Sequence, residues 1–227
     1  MKKDDSIIVL AWPETDVITA MAWYDVPMKF LKFNKNDFYK VGHAAAVLVE
    51  YQTGNLRYFD FGRYHTPILY ARVRDMEHDP DLTINIQAKF DENKNITNLE
   101  EILKHLSQKH ACHGEGTLHG SVYQGINFKE AYSWAKDLQK KGSIIYGPFE
   151  IKGTNCSRFI NQIFRAGKPP FRIKFRLLFP LSFSPLTTTN VVIGATKTKE
   201  YYKVTDKAEL TKAKVNFFTN FKYFALP

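Results

Sequence analysis

The stretch VGHAAAVLVEY, residues 41–51, is apolar almost throughout after Gly42. A short, continuous apolar run bounded by glycine is typical of a strand that is buried on both faces. Residues 52–55 (QTGN) have the composition of a turn. Residues 56–61 (LRYFDF) are rich in aromatics and predict the returning strand. The sequence therefore predicts an antiparallel β-hairpin inside a sheet.

Helical periodicity is the second signal in the chain. Apolar residues recur at helical spacing in three segments, each opening with asparagine, a favoured N-cap: 98–108, 127–141 and 155–165. Strand-like runs occupy 7–11, 81–90, 117–123, 172–179 and 190–193. Together these segments predict an α+β protein with a central antiparallel sheet packed by helices and a β-rich C-terminal segment.

Length and composition narrow the class of protein. A chain of 227 residues, 44% of them hydrophobic, suits one globular domain with a real core. No apolar run approaches the roughly 20 residues that a membrane helix requires. The N-terminus lacks the long apolar segment of a secretory signal. We therefore expect a cytoplasmic protein without a membrane span.

The charge balance and the few cysteines exclude further classes of function. The formal net charge of +9 attracts anionic partners. No nucleic-acid-binding motif accompanies that charge, so we do not expect nucleic acid as a partner. Two cysteines exclude a disulfide framework and a four-cysteine zinc site. Cys112 lies near three histidines, but in a glycine-rich segment without the spaced ligand pairs of a zinc site. We expect no metal and no organic cofactor.

One cysteine and one histidine occupy positions that suit chemistry. Cys156 stands at the N-terminus of a predicted helix, where free N–H groups and the helix dipole stabilise a thiolate and an oxyanion. His43 begins the buried strand, where a polar side chain is costly unless it is paired or used. Either residue alone is explained by a structural role. Together they predict a thiol nucleophile, Cys156, with His43 as general base and acid.

The order of these motifs resembles the permuted papain-like superfamily, the relatives of NlpC-type peptidases. In those proteins a histidine begins a core strand and a polar residue lies on the next strand. An Asn-Cys motif then opens a helix after an intervening helix and a tyrosine-containing loop. This chain shows, in that order, Gly42-His43-Ala44, the helix 127–141, Tyr146-Gly147-Pro148-Phe149 and Asn155-Cys156. The resemblance covers about residues 41–165. It implies a papain-like core within a single domain, 1–227, of a divergent bacterial branch, with an N-terminal segment 1–40 and a C-terminal extension 166–227.

The third member of the site is expected from hairpin geometry. If Gly54 lies near the middle of the turn, cross-strand partners have numbers that sum to about 107 or 108. His43 then faces Tyr64 or His65, and we expect His65 to orient its ring. Asp60 is the alternative. A carboxylate is the better chemical partner, but this register places it roughly 13 Å along the strand.

The resemblance implies a cysteine hydrolase (peptidase or amidase) or an acyltransferase, with a small-molecule, peptide or acyl substrate. Arg63 and Arg72 are candidates to hold a substrate carboxylate or phosphate, and Tyr146 lies in the loop before the nucleophile. Ion pairs with neighbouring acids are the structural alternative for these arginines. The functional alternative is a non-catalytic binding module on the same fold that recognises an anionic ligand.

Overall fold

The central hairpin of the computed structural model runs from His43 to Gly62. The structure describes residues 3–18, 38–39, 42–180 and 184–215, so parts of the N-terminal segment 1–40 and of the extension 166–227 lie outside it. The strands are β1 (Asp5–Trp12), β2 (Val17–Ile18), β3 (Phe38–Tyr39), β4 (His43–Val49), β5 (Leu56–Gly62), β6 (Tyr70–Arg74), β7 (Leu118–Ile126), β8 (Ile144–Ile145), β9 (Glu200–Val204) and β10 (Leu210–Lys214). The α-helices are α1 (Leu99–Gln108), α2 (Phe128–Gln139), α3 (Cys156–Ala166), α4 (Phe171–Leu178) and α5 (Thr187–Gly194).

Eight of these strands form one sheet in the order β10-β9-β7-β1-β4-β5-β6-β8, and neighbours pair antiparallel. β1 lies near the middle because it pairs with both β4 and β7. Strands β2 and β3 pair with each other in a separate ladder. The strands predicted at 7–11 and 117–123 are confirmed as β1 and β7, and the predicted hairpin is confirmed as β4 and β5.

Both faces of the sheet are covered, which explains the continuous apolar run of β4. Successive side chains of a strand point to opposite faces. Ala44 and Leu48 belong to a core cluster with Phe159 of α3. Val47 belongs to a second cluster with Leu103 of α1. Because each residue of β4 is buried against one layer or the other, the strand has no solvent-facing position for polar residues.

Asparagine caps begin two of the predicted helices. The side-chain oxygen of Asn127 accepts a hydrogen bond from the Glu130 N–H at 3.1 Å. That of Asn155 accepts from the Arg158 N–H at 2.8 Å. Each bond satisfies a helix N–H that lacks a partner within the helix. Asn98 precedes α1, but its side-chain oxygen accepts instead from a backbone N–H of the segment before the helix.

The strand predicted at 81–90 is wrong. A 3-10 helix at Pro80–Leu82 is followed by an irregular segment whose apolar residues pack on the α1 side of the sheet. The Ala88 N–H donates to the Gly54 carbonyl at 2.8 Å, which holds the segment against the hairpin turn. Alternating apolar residues here face a sheet surface, so the period of two does not indicate a place in the ladder.

The C-terminal segment is mixed rather than β-rich. The strands predicted at 172–179 and 190–193 are wrong, because these residues belong to α4 and α5. Every residue of α5 is buried, and packing on all sides outweighs the strand preference of its threonines and valines. The segment then adds β9 and β10 to the sheet beside β7. No helix among the described residues is both long enough and apolar enough to cross a bilayer.

Candidate active site

Cys156 is the first residue of α3, directly after the Asn155 cap. It is 5% exposed, and its thiol donates to the Gly42 carbonyl with a sulfur–oxygen distance of 3.9 Å. The helix packs on the hairpin through its apolar face, which includes Phe159 and Ile163. This packing fixes the start of the helix, and therefore the thiol, against the beginning of β4.

His43 is held at the first position of β4 by a tight backbone turn. Gly42 has φ +76°, and a Cβ there would stand 2.7 Å from the Trp12 carbonyl oxygen. A left-handed backbone that closely approaches another strand requires glycine. The Trp12 ring stacks on the His43 ring, with centroids 6.0 Å apart and planes inclined by 26°. The imidazole therefore has a fixed position and orientation.

Asp60, the alternative third residue, contacts His43. Its Oδ2 lies 3.3 Å from the imidazole Nε2, and both side chains are buried. The register of the hairpin explains this contact, because Asp60 pairs with Ala45. Partners therefore have numbers that sum to 105, and Asp60 is the diagonal neighbour of His43 on the same face.

The expected register, and with it the place expected for His65, is wrong. His65 lies beyond the end of β5, in an exposed loop, with φ +53°. The observed sum of 105 is two to three lower than the expected 107 or 108. Strand β5 is therefore shifted along β4 so that Asp60, and not His65, lies beside the imidazole. Asp60 thus holds the position next to the His43 ring that the sequence assigned first to His65.

Arg74 of β6 holds Asp60 from the opposite side. Its Nε donates to Oδ1 at 3.0 Å and its Nη2 to Oδ2 at 2.5 Å. The Tyr58 hydroxyl also donates to Oδ2, at 3.0 Å. Burial alone would raise the pKa of Asp60, but the bond with His43 and the Arg74 guanidinium hold that pKa below its usual range. The carboxylate is ionised and held by four contacts, so it fixes the imidazole in one orientation.

The pKa of His43 reflects this environment. Burial acts to lower it, but hydrogen bonds with Asp60 and with Cys156, and then the Asp60 charge, raise the pKa to about 9. The Cys156 side chain is therefore close enough to the ring to raise its pKa. Cys156, His43 and Asp60 therefore bring a thiol, an imidazole and a carboxylate together.

Tyr64 covers the polar chain. Its ring meets the His43 ring edge-on, its hydroxyl lies 3.5 Å from Nε2, and the Arg74 guanidinium stands 3.5 Å from the ring centre. Burial and the Asp60 charge raise the pKa of Tyr64 well above its usual range, so its hydroxyl stays neutral. An aromatic ring over a buried ion pair limits the access of water and strengthens the electrostatic interactions beneath it.

The proposed substrate-binding residues are engaged within the protein. Arg72 donates to Asp79 through both terminal nitrogens, at 2.7 and 2.6 Å, and to the Tyr64 carbonyl through Nε. This is the ion pair named above as its structural alternative. Arg63 stands 5.5 Å from the centre of the Tyr146 ring. Tyr146 is buried and stacks on Phe61.

The loop before Cys156 is tied to helix α3. The Arg158 guanidinium donates to the carbonyls of Gly147, Pro148 and Glu150, at 3.3, 3.4 and 2.9 Å. The Gly147 N–H in turn donates to the Thr154 carbonyl at 3.0 Å. Sequence reasoning did not assign this role to Arg158, nor the roles of Trp12, Tyr58, Tyr64 and Arg74. The available signal was an aspartate on the predicted hairpin and an arginine, Arg74, shortly after it in the sequence. It is informative only once the strand that carries Arg74 and its register are known.

The second cysteine lies in a different environment. Cys112 is buried, and burial raises the pKa of its thiol to about 12. Two of the histidines near it in sequence, His110 and His113, meet edge to face, whereas His119 packs against Tyr201. Among the residues that the structure describes, no three His, Cys, Asp or Glu side chains are grouped so as to hold a metal ion.

Comparisons with known proteins place the site within a described family. The family model for type VI secretion system effectors that are TseH-like matches residues 7–169, which include His43, Asp60, Arg74 and Cys156. Among solved structures, the crystal structure of the type VI secretion system effector TseH matches at a TM-score of 0.59 and 21% identity. That match covers 93% of this chain and 99% of TseH, and at this identity it shows a shared fold. No curated protein matches the chain.

Proposed function

The chain belongs to the TseH-like family of type VI secretion system effectors, and we propose that it acts as a thiol hydrolase with Cys156 as nucleophile. The observation that carries the proposal is a buried arrangement in which the Cys156 thiol contacts the Gly42 carbonyl, next to His43, and the His43 imidazole contacts Asp60. In it His43 is the general base and acid, and Asp60 orients the imidazole. As a member of an effector family, the protein is proposed to perform this chemistry in a target cell.

The proposed reaction proceeds through an acyl-enzyme. His43 takes the thiol proton, and the Cys156 sulfur attacks the carbonyl carbon of an amide, ester or thioester. Backbone N–H groups at the start of α3, which have no partner within the helix, donate to the oxyanion. His43 then gives its proton to the leaving group as the carbon–heteroatom bond breaks. A water deprotonated by His43 attacks the thioester, which releases the acid and restores the thiol.

The arrangement also supports a permuted papain-like core. A strand-borne histidine precedes the helix-borne cysteine along the chain, as the resemblance implies, and α3 packs on the strand that carries the histidine. The polar partner of His43 lies on the next strand, as in that superfamily. Peptidase, amidase and acyltransferase activities share this machinery, and differ in whether water or another nucleophile accepts the acyl group. The proposed substrate is a peptide, an acyl compound or a small molecule, and no step needs a cofactor.

A non-catalytic module that binds an anion through Arg63 and Arg72 is the weaker candidate. The Arg72 guanidinium already donates hydrogen bonds to Asp79 and to a backbone carbonyl. An anionic ligand would have to displace a bidentate carboxylate from it. Burying an imidazole beside a thiol costs free energy. A module that only binds an anion gives these two groups no use that would offset this cost.

The decisive experiment combines activity with detection of the intermediate. Purified wild type, Cys156→Ala, His43→Gln and Asp60→Asn are incubated with peptide amides, acyl esters and bacterial cell-wall material. Intact-protein mass spectrometry then follows any adduct. We expect hydrolysis and a thioester adduct on wild type, neither on Cys156→Ala, and rates lowered at least about a hundredfold in His43→Gln. A folded Cys156→Ala variant with wild-type turnover would falsify the proposal.

A further inference from the structure

A stripe of exposed aromatic rings runs along helix α4 and onto Phe179, the residue that follows it. Phe171, Phe175 and Phe179 are 78%, 51% and 65% exposed. They are spaced four residues apart, and each ring contacts the next, with centroids 6.2 and 4.8 Å apart. The opposite side of the helix is anchored in the core by Ile173 and Leu177. A contiguous exposed apolar patch is typical of a surface that binds a protein, a membrane or a ligand.

Cations flank this aromatic stripe on both sides. At 100° per residue, Phe171 and Phe175 face outward, Arg172 and Arg176 lie along one side of them, and Lys174 lies along the other. All three cationic residues are exposed. The Arg176 guanidinium donates to the Thr196 hydroxyl at 2.5 Å, which holds it beside the stripe. The helix therefore presents apolar rings bordered by positive charge.

The net charge of the chain is concentrated in the part of the sequence that contains this helix. Residues 151–199 contain nine Lys and Arg and no Asp or Glu. They account for the entire net charge of +9, so the remainder of the chain is neutral. Two copies of this surface would repel each other, which argues against self-association through it. The complementary partner carries negative charge and also accepts aromatic rings.

We propose that the α4 surface, defined by Phe171, Arg172, Lys174, Phe175, Arg176 and Phe179, docks the protein on the surface of an anionic lipid bilayer. A bilayer supplies both complements at once: lipid phosphates for the cations, and an apolar layer beneath the headgroups for the rings. The helix lies parallel to the membrane plane, with its buried side still packed on the protein. The proposal is independent of the thiol chemistry.

The test measures binding of the full chain to vesicles by sedimentation. Vesicles of phosphatidylcholine alone are compared with vesicles that also contain phosphatidylglycerol. We expect binding that requires the anionic lipid and weakens as salt is added. Arg172→Gln/Lys174→Gln/Arg176→Gln should bind about a hundredfold more weakly, since each cation near an anionic surface contributes about fivefold. The matched control Lys104→Gln/Lys140→Gln/Lys141→Gln removes three exposed lysines elsewhere and should stay within about twofold of wild type.

A second variant separates a bilayer from other anions. Phe171→Ser/Phe175→Ser/Phe179→Ser keeps every charge, so it should bind a heparin column like wild type yet lose at least about tenfold in vesicle binding. Circular dichroism and thermal unfolding confirm that each variant is folded. Absence of binding to anionic vesicles overturns the proposal. So does vesicle binding that is unaffected by the serine substitutions, because the surface would then attract anions of any kind. Vesicle binding reduced as much by the control lysines as by the α4 cations also overturns it.

Discussion

The carboxylate of Asp60 receives two hydrogen bonds from the guanidinium of Arg74, in a pair that is almost wholly removed from solvent. Their attraction offsets the cost of burying two charges, but neither charge is tolerated alone. Because Asp60 also contacts His43, the ion pair contributes both to the stability of the sheet and to the geometry of the thiol site.

Replacing Arg74 with methionine should lower the free energy of unfolding by about 3–5 kcal/mol, because it leaves the Asp60 charge buried without its main partner. Chemical denaturation measures the change. Arg72→Met is the matched control, since it removes a bidentate pair of the same type that is partly open to solvent. The control should cost about 1 kcal/mol or less. Equal losses in the two variants would contradict the buried character of the Arg74 pair.

Stability should fall as pH rises from about 6.5 to about 9. The pKa of His43 is raised to about 9 in the folded protein from an ordinary value of 6.5. Between these values the folded state keeps a proton that the unfolded state has released, so the contribution is complete below pH 6.5 and is lost as pH rises through 9. Its full size is up to about 3 kcal/mol. The difference in unfolding free energy between wild type and His43→Gln, measured across this range, isolates it from other groups. A difference that stays constant with pH would contradict it.

The two cysteines should differ sharply in reactivity. Cys156 is next to an imidazole that is protonated below about pH 9, whereas burial raises the pKa of Cys112 to about 12. Iodoacetamide at pH 6 should therefore label Cys156 at least about tenfold faster than Cys112, as read by peptide mass spectrometry. In His43→Gln the labelling rate of Cys156 at pH 6 should fall at least about tenfold, while that of Cys112 should not change, so the preference becomes smaller. Equal labelling of both thiols after unfolding is the control for access of the reagent. An unchanged preference in His43→Gln would mean that the imidazole does not activate the thiol.

Gly42→Ala should destabilise the protein more than its backbone angle alone explains. A non-glycine residue at positive φ costs about 1–2 kcal/mol, and here the new Cβ would also meet the Trp12 carbonyl oxygen at 2.7 Å. Gly142 supplies the matched control, because its φ of +70° is similar and a Cβ there meets nothing within 4 Å. Gly42→Ala should cost at least about 1 kcal/mol more than Gly142→Ala in thermal unfolding, and should slow Cys156 labelling. Equal costs would show that the close approach is easily relieved.

The sequence was sufficient for the elements that carry the thiol and the imidazole. Local periodicity predicts the apolar strand β4, and local periodicity with an asparagine cap predicts the amphipathic helix after Asn155. Neither prediction needs tertiary information. They place His43 and Cys156 at the ends of two elements that face each other. The catalytic use of the pair stays a proposal, but their proximity follows from a pattern that is local at each end.

The third residue was misplaced because one glycine was assigned the wrong role in the turn. Gly54 has φ +71° and its N–H bonds to the Glu50 carbonyl, while the Glu50 N–H bonds to the Asn55 carbonyl. Gly54 is therefore the left-handed last residue of the turn rather than its middle, and each pairing shifts accordingly. Composition identifies a turn but does not say which residue takes the positive φ. Arg74 was missed for a related reason, since its pairing with Asp60 depends on a second register across the loop after β5.

The central position of β1 also affects when, during synthesis of the chain, the sheet and the thiol site can form. Its residue Ile8 pairs with Val47 on one side and with Val122 on the other. The pairing of β1 with β7 therefore cannot form until residues more than a hundred positions later have been synthesised. Contacts of such wide separation fold slowly. The thiol comes later still, on the helix that begins at Cys156. A nascent or truncated chain that ends before this helix therefore holds the imidazole without the thiol, and the proposed chemistry becomes possible only after translation has passed that helix.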